Sequence, residues 1–389
     1  MPLFDRKPRR VGRKLLALLV LGVGASSAWR AVRGHDGAGA ESLPNAVINL
    51  KPALRDCVAP ARGTVAFQPN VPPEITGRVG LFVARLAPGT GFQPVASVSV
   101  NGTSVFPLAS SFKPSVLWAY LKAVDAGKAT MAETFDVTGA NQSLGDYPFD
   151  HSNARQLAER MIQFSDNTAT DILFRRVGLG ALQPLADRLG LCSTRLQLPT
   201  KDWWAAESGL TSAFPTAQLA ARAAAFGRAT PIERLDLARH LDAEAQDLDT
   251  ETMRKALDPY FEGRRFDPGE MADIDLNLQN ASTPEEWARF LAGAFAPGAL
   301  SGSSRAVFRE VMALGYGRSR VRHAFAYFGG KEGNTSHILT LCGYLEKADG
   351  TRLVYAFFND RNAEIDTFHL APSAFRVINA ALDAVDPAP

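Results

Sequence analysis

The sequence predicts an α/β fold in which one sheet is assembled from both ends of the chain around a helical middle. Three observations carry this. Two strand-like runs, Gly80–Ala84 and Val95–Val100, precede residue 110. Apolar residues at helical spacing dominate from Ser111 to about Leu291. Three further strand candidates follow, at Ala324–Gly330, Ile338–Leu345 and Leu353–Phe358, and Ala371–Val385 reads as a closing helix. With 389 residues and 46% hydrophobic composition, the chain is long enough for a large core.

The N-terminus comes first in order. Arg6, Lys7, Arg9, Arg10, Arg13 and Lys14 precede a short apolar run, Leu15–Val23, and the small residues Gly24–Ala28. That pattern predicts an export signal, cleaved or kept as an anchor, with residues 34–40 a flexible linker. It places the mature protein in the periplasm or outside the cell. The formal net charge is +2, and much of the positive excess lies in these first residues. The remainder is near neutral or acidic, so nothing points to nucleic acid as a partner. Residues 52–73 are proline-rich and predict an extended wrap over the surface.

The three cysteines leave at least one unpaired in a monomer. Cys342 sits in an apolar run and reads as a small buried hydrophobe, and Cys57 with Cys192 is the one pairing considered. The six histidines show no ligand spacing with these cysteines, so no metal or other cofactor is expected.

Asn101-Gly102 predicts a hairpin-type turn near the first strand pair, and Ser152 an N-cap for a helix over 155–164. Gly178 and Gly180 punctuate the helix after that. Residues 239–257 are charged and helix-patterned, and 259–269 read as a loop. Asn280–Pro284 reads as a helix start before Trp287. Trp118, Trp203, Trp204 and Trp287 are expected to pack in the core or lobe.

Three short stretches carry the chemistry. Phe106–Lys113 places Ser110 and Lys113 one helical turn apart at the mouth of an apolar run. A serine there sits in the positive end of a helix dipole, and a lysine one turn on can take its proton once burial lowers the amine pKa. By itself the pair is a weak signal and reads more simply as a helix cap beside a solvated lysine. Ser165-Asp166-Asn167 lies between two apolar-periodic segments, and Lys331-Glu332-Gly333 opens a strand-like run. In that order, with Phe-Pro-x-Ala-Ser-x-Phe-Lys and Ser-Asp-Asn-Thr-Ala as flanks, they resemble the motifs of class A β-lactamases and penicillin-binding proteins. The resemblance runs from about Gly77 to Asp383.

The resemblance implies a sandwich of an antiparallel sheet flanked by helices, with an inserted all-helical lobe and the site between them. Residues 1–40 would be signal or anchor plus linker, and 41–76 an extended segment. Residues 77–389 would be one catalytic unit, its lobe at about 111–300 and its sheet from 77–110 and 320–389. The resemblance also implies roles. Ser110 is the nucleophile that forms an acyl-enzyme, Lys113 its base, and Ser165 a bridge between Lys113 and Lys331. Asn167, Lys331, Gly333 and Asn334 bind substrate, with the N–H groups of Ser110 and Asn334 as the oxyanion site. Asp166 is structural. The partner would be a small β-lactam or a peptidoglycan-type acyl compound, met by a monomer that touches membrane only through its N-terminus. A D-alanyl-D-alanine peptidase, or a binding module on the same scaffold, is the alternative.

Two departures stand out. Where class A β-lactamases carry a deacylating Glu, this chain has Thr200, with Asp202 and Glu207 the nearest carboxylates. Where a hydroxyl residue usually binds a substrate carboxylate, this chain has Glu332, with Thr335 and Ser336 as substitute hydroxyls. Residues 212–279 are longer than the family needs, and extra helices near the site mouth are expected there.

Overall fold

A computed structural model describes Cys57, Ala61 and residues 64–387, except Thr90, 146–149 and 263–265. The expected export segment, linker and much of the extended segment lie outside the described residues. No helix among the described residues is long and apolar enough to cross a membrane.

The sheet forms from β1 (Arg78–Leu86), β2 (Pro94–Val100), β7 (Tyr327–Thr335), β8 (Ile338–Glu346) and β9 (Arg352–Asp360). Its order is β2-β1-β9-β8-β7, antiparallel throughout. Gly80 lies opposite Phe358, so the N-terminal strands join the C-terminal ones at the β1–β9 seam. Successive residues serve opposite faces, as a pleat requires. Leu81, Val83, Leu341, Tyr355 and Phe357 face one apolar cluster with Phe375 and Ile378 of α12 (Ala371–Val385). Phe82, Ala84, Cys342, Tyr344, Ala356 and Phe358 face the other, with Trp287 and Phe290 of α10 (Pro284–Phe295). A sheet covered on both faces explains why its inner strands read as apolar runs.

The lobe holds α1 (Lys113–Asp125), α2 (Ala154–Gln163), α3 (Asn167–Val177), α4 (Gln183–Arg188), α5 (Thr200–Ser208) and α11 (Gly302–Met312). Two short ribbons run through it. One pairs β3 (Phe106–Pro107) with β6 (Ala281–Ser282), the other β4 (Thr134–Asp136) with β5 (His151–Asn153). The four tryptophans named above pack inside or against this core, Trp287 stacked on Phe290 at 4.6 Å and Trp203 edge-on to Phe112 at 5.5 Å.

Several local expectations shift. The cap of α2 is Asn153, not Ser152: its side chain accepts from Gln156 N, and the Gln156 side chain accepts in turn from Asn153 N. Asn101-Gly102 does turn the chain, with Asn101 at φ 47°, but after β2; β1 and β2 are joined through 87–93. At Thr64 and Val65 the proline-rich stretch meets Ser97 on β2, the edge strand of the sheet. Cys57 and Cys192 form a disulfide, and Cys342 is buried and free.

Residues 212–279 fold into α6 (Leu219–Arg228), α7 (Pro231–Asp247), α8 (Thr250–Phe261) and α9 (Pro268–Leu278). Pro259 falls inside the last turn of α8, where little helix remains to be broken. These helices pack on α5 and on each other. Two buried polar clusters join them to it. Arg175 of α3 pairs with Asp202 of α5 at 2.9 Å and Asp242 of α7 at 2.6 Å. Glu207 of α5 hydrogen-bonds Asp275 of α9, which also accepts from Tyr260 Oη of α8 at 2.6 Å.

Burial, then the neighbouring Asp275 charge, pushes Glu207 well above the usual carboxyl range, and burial pushes Asp275 up to about 6. The folded chain therefore holds a proton that the unfolded chain has released. The stability this contributes is present below the ordinary carboxyl range and is lost as pH rises through about 6 and above. Glu207→Gln keeps a hydrogen-bonding side chain against Asp275 and removes the titration of Glu207 alone. Its melting temperature relative to the parent is expected to rise by on the order of 2 °C or more between about pH 5 and pH 8. A difference that stays constant across that range would mean Glu207 does not titrate there.

Candidate active site

Ser110 lies in a short 3₁₀ turn, Ala109–Phe112, that runs directly into α1, so its N–H stands at the positive end of that helix. Ala109 has φ 42°, a left-handed conformation that a non-glycine residue holds only when its surroundings impose it. Those surroundings are the sheet. Thr340 Oγ1 on β8 lies 2.8 Å from Leu108 O, 2.8 Å from Ser111 Oγ and 3.2 Å from Gly333 O, pinning the turn to β7. A Cβ on Gly333 would come within 2.6 Å of Ser110 N and 2.7 Å of Ser111 N. Only glycine allows β7 this close to the serine backbone.

Lys113 is wholly buried one turn on. Its Nζ lies 2.5 Å from Ser165 O, 2.7 Å from Asn167 Oδ1 and 3.1 Å from Ser165 Oγ. Burial, and then the charge of Lys331, hold this amine well below the ordinary lysine range. A neutral amine is a proton acceptor at neutral pH.

Ser165 sits in the turn before α3 with φ 57°. Asp166 caps α3, accepting from Ala169 N at 2.8 Å, and pairs with Arg160 at 2.6 Å. That fixes the turn and leaves Asp166 no part in the cleft. Asn167 holds Lys113 through Oδ1 and donates from Nδ2 to Leu144 O at 3.0 Å.

Lys331 is wholly buried and donates to Ser165 Oγ at 3.0 Å, so Ser165 does bridge the two lysines. It also donates to Glu332 O at 2.9 Å and Glu332 Oε1 at 2.7 Å. Glu332 thus turns inward. Ser110 Oγ makes no hydrogen bond to any described residue and is half-exposed.

A cleft of about 1050 Å³ opens beside this cluster. Ser165, Glu332 and Asn334 border it, Phe164, Tyr316, Phe325 and Phe368 give it aromatic walls, and Arg318 and Asp366 complete its charged lining. Thr335 and Ser336 do not border it, since the first ends β7 and the second lies in the turn beyond. No residue of 212–279 borders it either, so the added helices stand behind α5 and not at the mouth. An amphipathic pattern shows that a helix buries a face, not which neighbour receives it.

The chain segment into α5 is held by buried hydrogen bonds. Thr200 is buried, its Oγ1 2.9 Å from Asp171 Oδ2 and 3.0 Å from Ser143 Oγ. Asp202 and Glu207 face Arg175 and Asp275, as described above. Asp171 was missed. It is wholly buried and accepts from Thr200 N at 2.6 Å and Lys201 N at 2.7 Å, tying the loop to α3. Its signal was an acid one turn after Asn167 on an apolar helix face.

The arrangement links Lys113, one helical turn from Ser110, through the Ser165 hydroxyl to a second buried lysine, Lys331. The pattern of the β-lactamase enzyme family matches residues 74–381. Among solved structures, a β-lactamase from Sphaerobacter thermophilus is 20% identical and superposes with a TM-score of 0.52 over 80% of this chain and 93% of its own. PBP-A is 19% identical, with a TM-score of 0.52 over 84% and 99%. A PBP-A variant seen as an acyl-enzyme with penicillin G is 20% identical, with a TM-score of 0.50 over 79% and 90%. No curated protein matches the chain.

Proposed function

The chain belongs to the β-lactamase enzyme family, and from that premise we propose that it is an exported serine hydrolase that takes an acyl group onto Ser110 and releases it slowly. The observation that carries this is Lys113: a buried amine, held well below its ordinary pKa beside a second lysine, with a serine hydroxyl between them. In the acylation step Ser110 Oγ forms a bond to the carbonyl carbon of an amide, ester or β-lactam. Its proton goes to Lys113 Nζ. Ser165 Oγ accepts from the Lys331 ammonium and lies 3.1 Å from Lys113 Nζ, so its own proton can pass to the leaving nitrogen or oxygen. Lys113 then replaces that proton. The N–H groups of Ser110 and Asn334 hold the oxyanion. Water completes the cycle by attacking the Ser110 ester.

A D-alanyl-D-alanine peptidase is the second reading, favoured by Thr200 standing where a deacylating acid would be. The Cys57–Cys192 disulfide supports export, since such bonds persist in oxidising compartments.

The test is labelling. Incubated with p-nitrophenyl acetate and, separately, with penicillin G, the protein is expected to gain one acyl mass with at least one of them, and Ser110→Ala to gain none. Equal labelling of Ser110→Ala would remove Ser110 as the nucleophile. No labelling of the parent by either would favour a binding module.

A further inference from the structure

An ammonium has three N–H donors and no acceptor. All three of Lys331 are engaged inside the protein: Ser165 Oγ at 3.0 Å, Glu332 O at 2.9 Å and Glu332 Oε1 at 2.7 Å. This buried cation, held behind Ser165 and Glu332 at the border of the cleft, therefore has no donor left for an incoming anion. Glu332 answers its charge directly, as an ion pair. The second oxygen of that carboxylate, Oε2, is buried and has no hydrogen-bond partner among the described residues. Glu332 as a whole is 8% exposed and borders the cleft. A buried carboxylate oxygen without a donor is unfavourable until something supplies one, and it repels a second negative charge. Asp366 adds another acid to the same lining. Arg318, the cationic group at the rim, is exposed and lies over the Phe325 ring at 5.4 Å, where water screens it.

We propose that Glu332 selects acyl substrates whose group nearest Lys331 is a hydrogen-bond donor or a cation, such as an ammonium or amide N–H, and rejects those with a carboxylate there. The aromatic walls formed by Phe164, Tyr316 and Phe368 suit such a substrate, since ring faces attract cations and cover apolar acyl chains. This inference rests on the proposed acyl transfer at Ser110 and names its substrate class.

The test uses three phenylacetylglycine esters with matched leaving groups: phenol, 3-hydroxybenzoate, and 3-hydroxybenzylamine. Each kcat/KM is divided by the rate of spontaneous hydrolysis of the same ester. The ammonium-bearing and neutral esters are expected to exceed the carboxylate ester by about tenfold or more. Glu332→Gln, which keeps the volume and removes the charge, is expected to collapse that difference, and Glu332→Thr to raise the carboxylate ester by a similar factor. A carboxylate ester that equals or beats the others in the parent protein overturns the inference while leaving acyl transfer intact. So does Glu332→Gln that stalls release of the acyl group without changing the order of the esters, which would make Glu332 a base. Failure of all three esters to acylate Ser110 overturns the proposed function and this inference with it.

Discussion

Replacing Lys113 by methionine is expected to slow acylation of Ser110 about a hundredfold or more, because the serine loses its proton acceptor. Methionine preserves most of the buried volume, which keeps the test from becoming one of folding; Lys113→Ala is expected to lose the same rate and also leave a cavity. Stopped-flow release of p-nitrophenol, with thermal melting as a control, separates the two effects. The parent rate should also fall on acidification. Burial first, and then the charge of Lys331, hold Lys113 well below its usual range, which favours the proton-accepting neutral form, and that form is lost as the pH falls. Near-normal acylation by Lys113→Met would remove it from the mechanism. A parent rate that rises on acidification would contradict a neutral-amine base.

The second large effect concerns release. Thr200 Oγ1 is committed to Asp171 and Ser143. Asp202 faces Arg175, and Glu207 faces Asp275. Among the described residues on the loop side of Ser110, no carboxylate is free to activate water. The acyl-enzyme is therefore expected to persist long enough to be seen by intact-mass spectrometry. A missing general base commonly slows such a step by a factor on the order of a hundred to a thousand. Fast turnover that Asp202→Asn or Glu207→Gln converts into a trapped acyl form would show a reshaped loop. Fast turnover that survives both but stops in Glu332→Gln would place the base on β7.

Much of this was legible in the residues. The strands of the sheet and the closing helix stand out because inner strands buried on two faces are apolar throughout, while turns between them carry glycine and asparagine. Ser110, Lys113, Ser165, Asn167 and Lys331 stand out because three short motifs, in order and with their flanks, resemble those of a known family; the Ser110–Lys113 pair alone is a weak signal. Other features depend on contacts across the fold. Ser152 and Asn153 are both good caps one residue apart, and only the return bond from Gln156 decides between them. Lys331 and Glu332 are neighbours on a strand, where alternation sends side chains to opposite faces. That both end at one ammonium follows from the length and flexibility of two side chains, which no pattern records. Asp171 looked like one polar residue among several until the loop carrying Thr200 was seen folded over it.

The pairing of β1 with β9 sets a time order on the molecule. A chain leaves the ribosome N-terminus first, so Gly80 is made long before its partner Phe358. Until then β1 has only β2 beside it, and a lone two-stranded ribbon is marginal in water. The intervening helices can gather locally, but such distant strand pairing closes late. The nucleophile and the lysine across the cleft come from opposite sides of that delay: Ser110 is made early, whereas Lys331 arrives on β7 with the last strands. Under the proposed acyl transfer, the two meet only once synthesis and closure are both finished. This ordering keeps the two sides of the cleft apart in the nascent molecule until its final strands arrive.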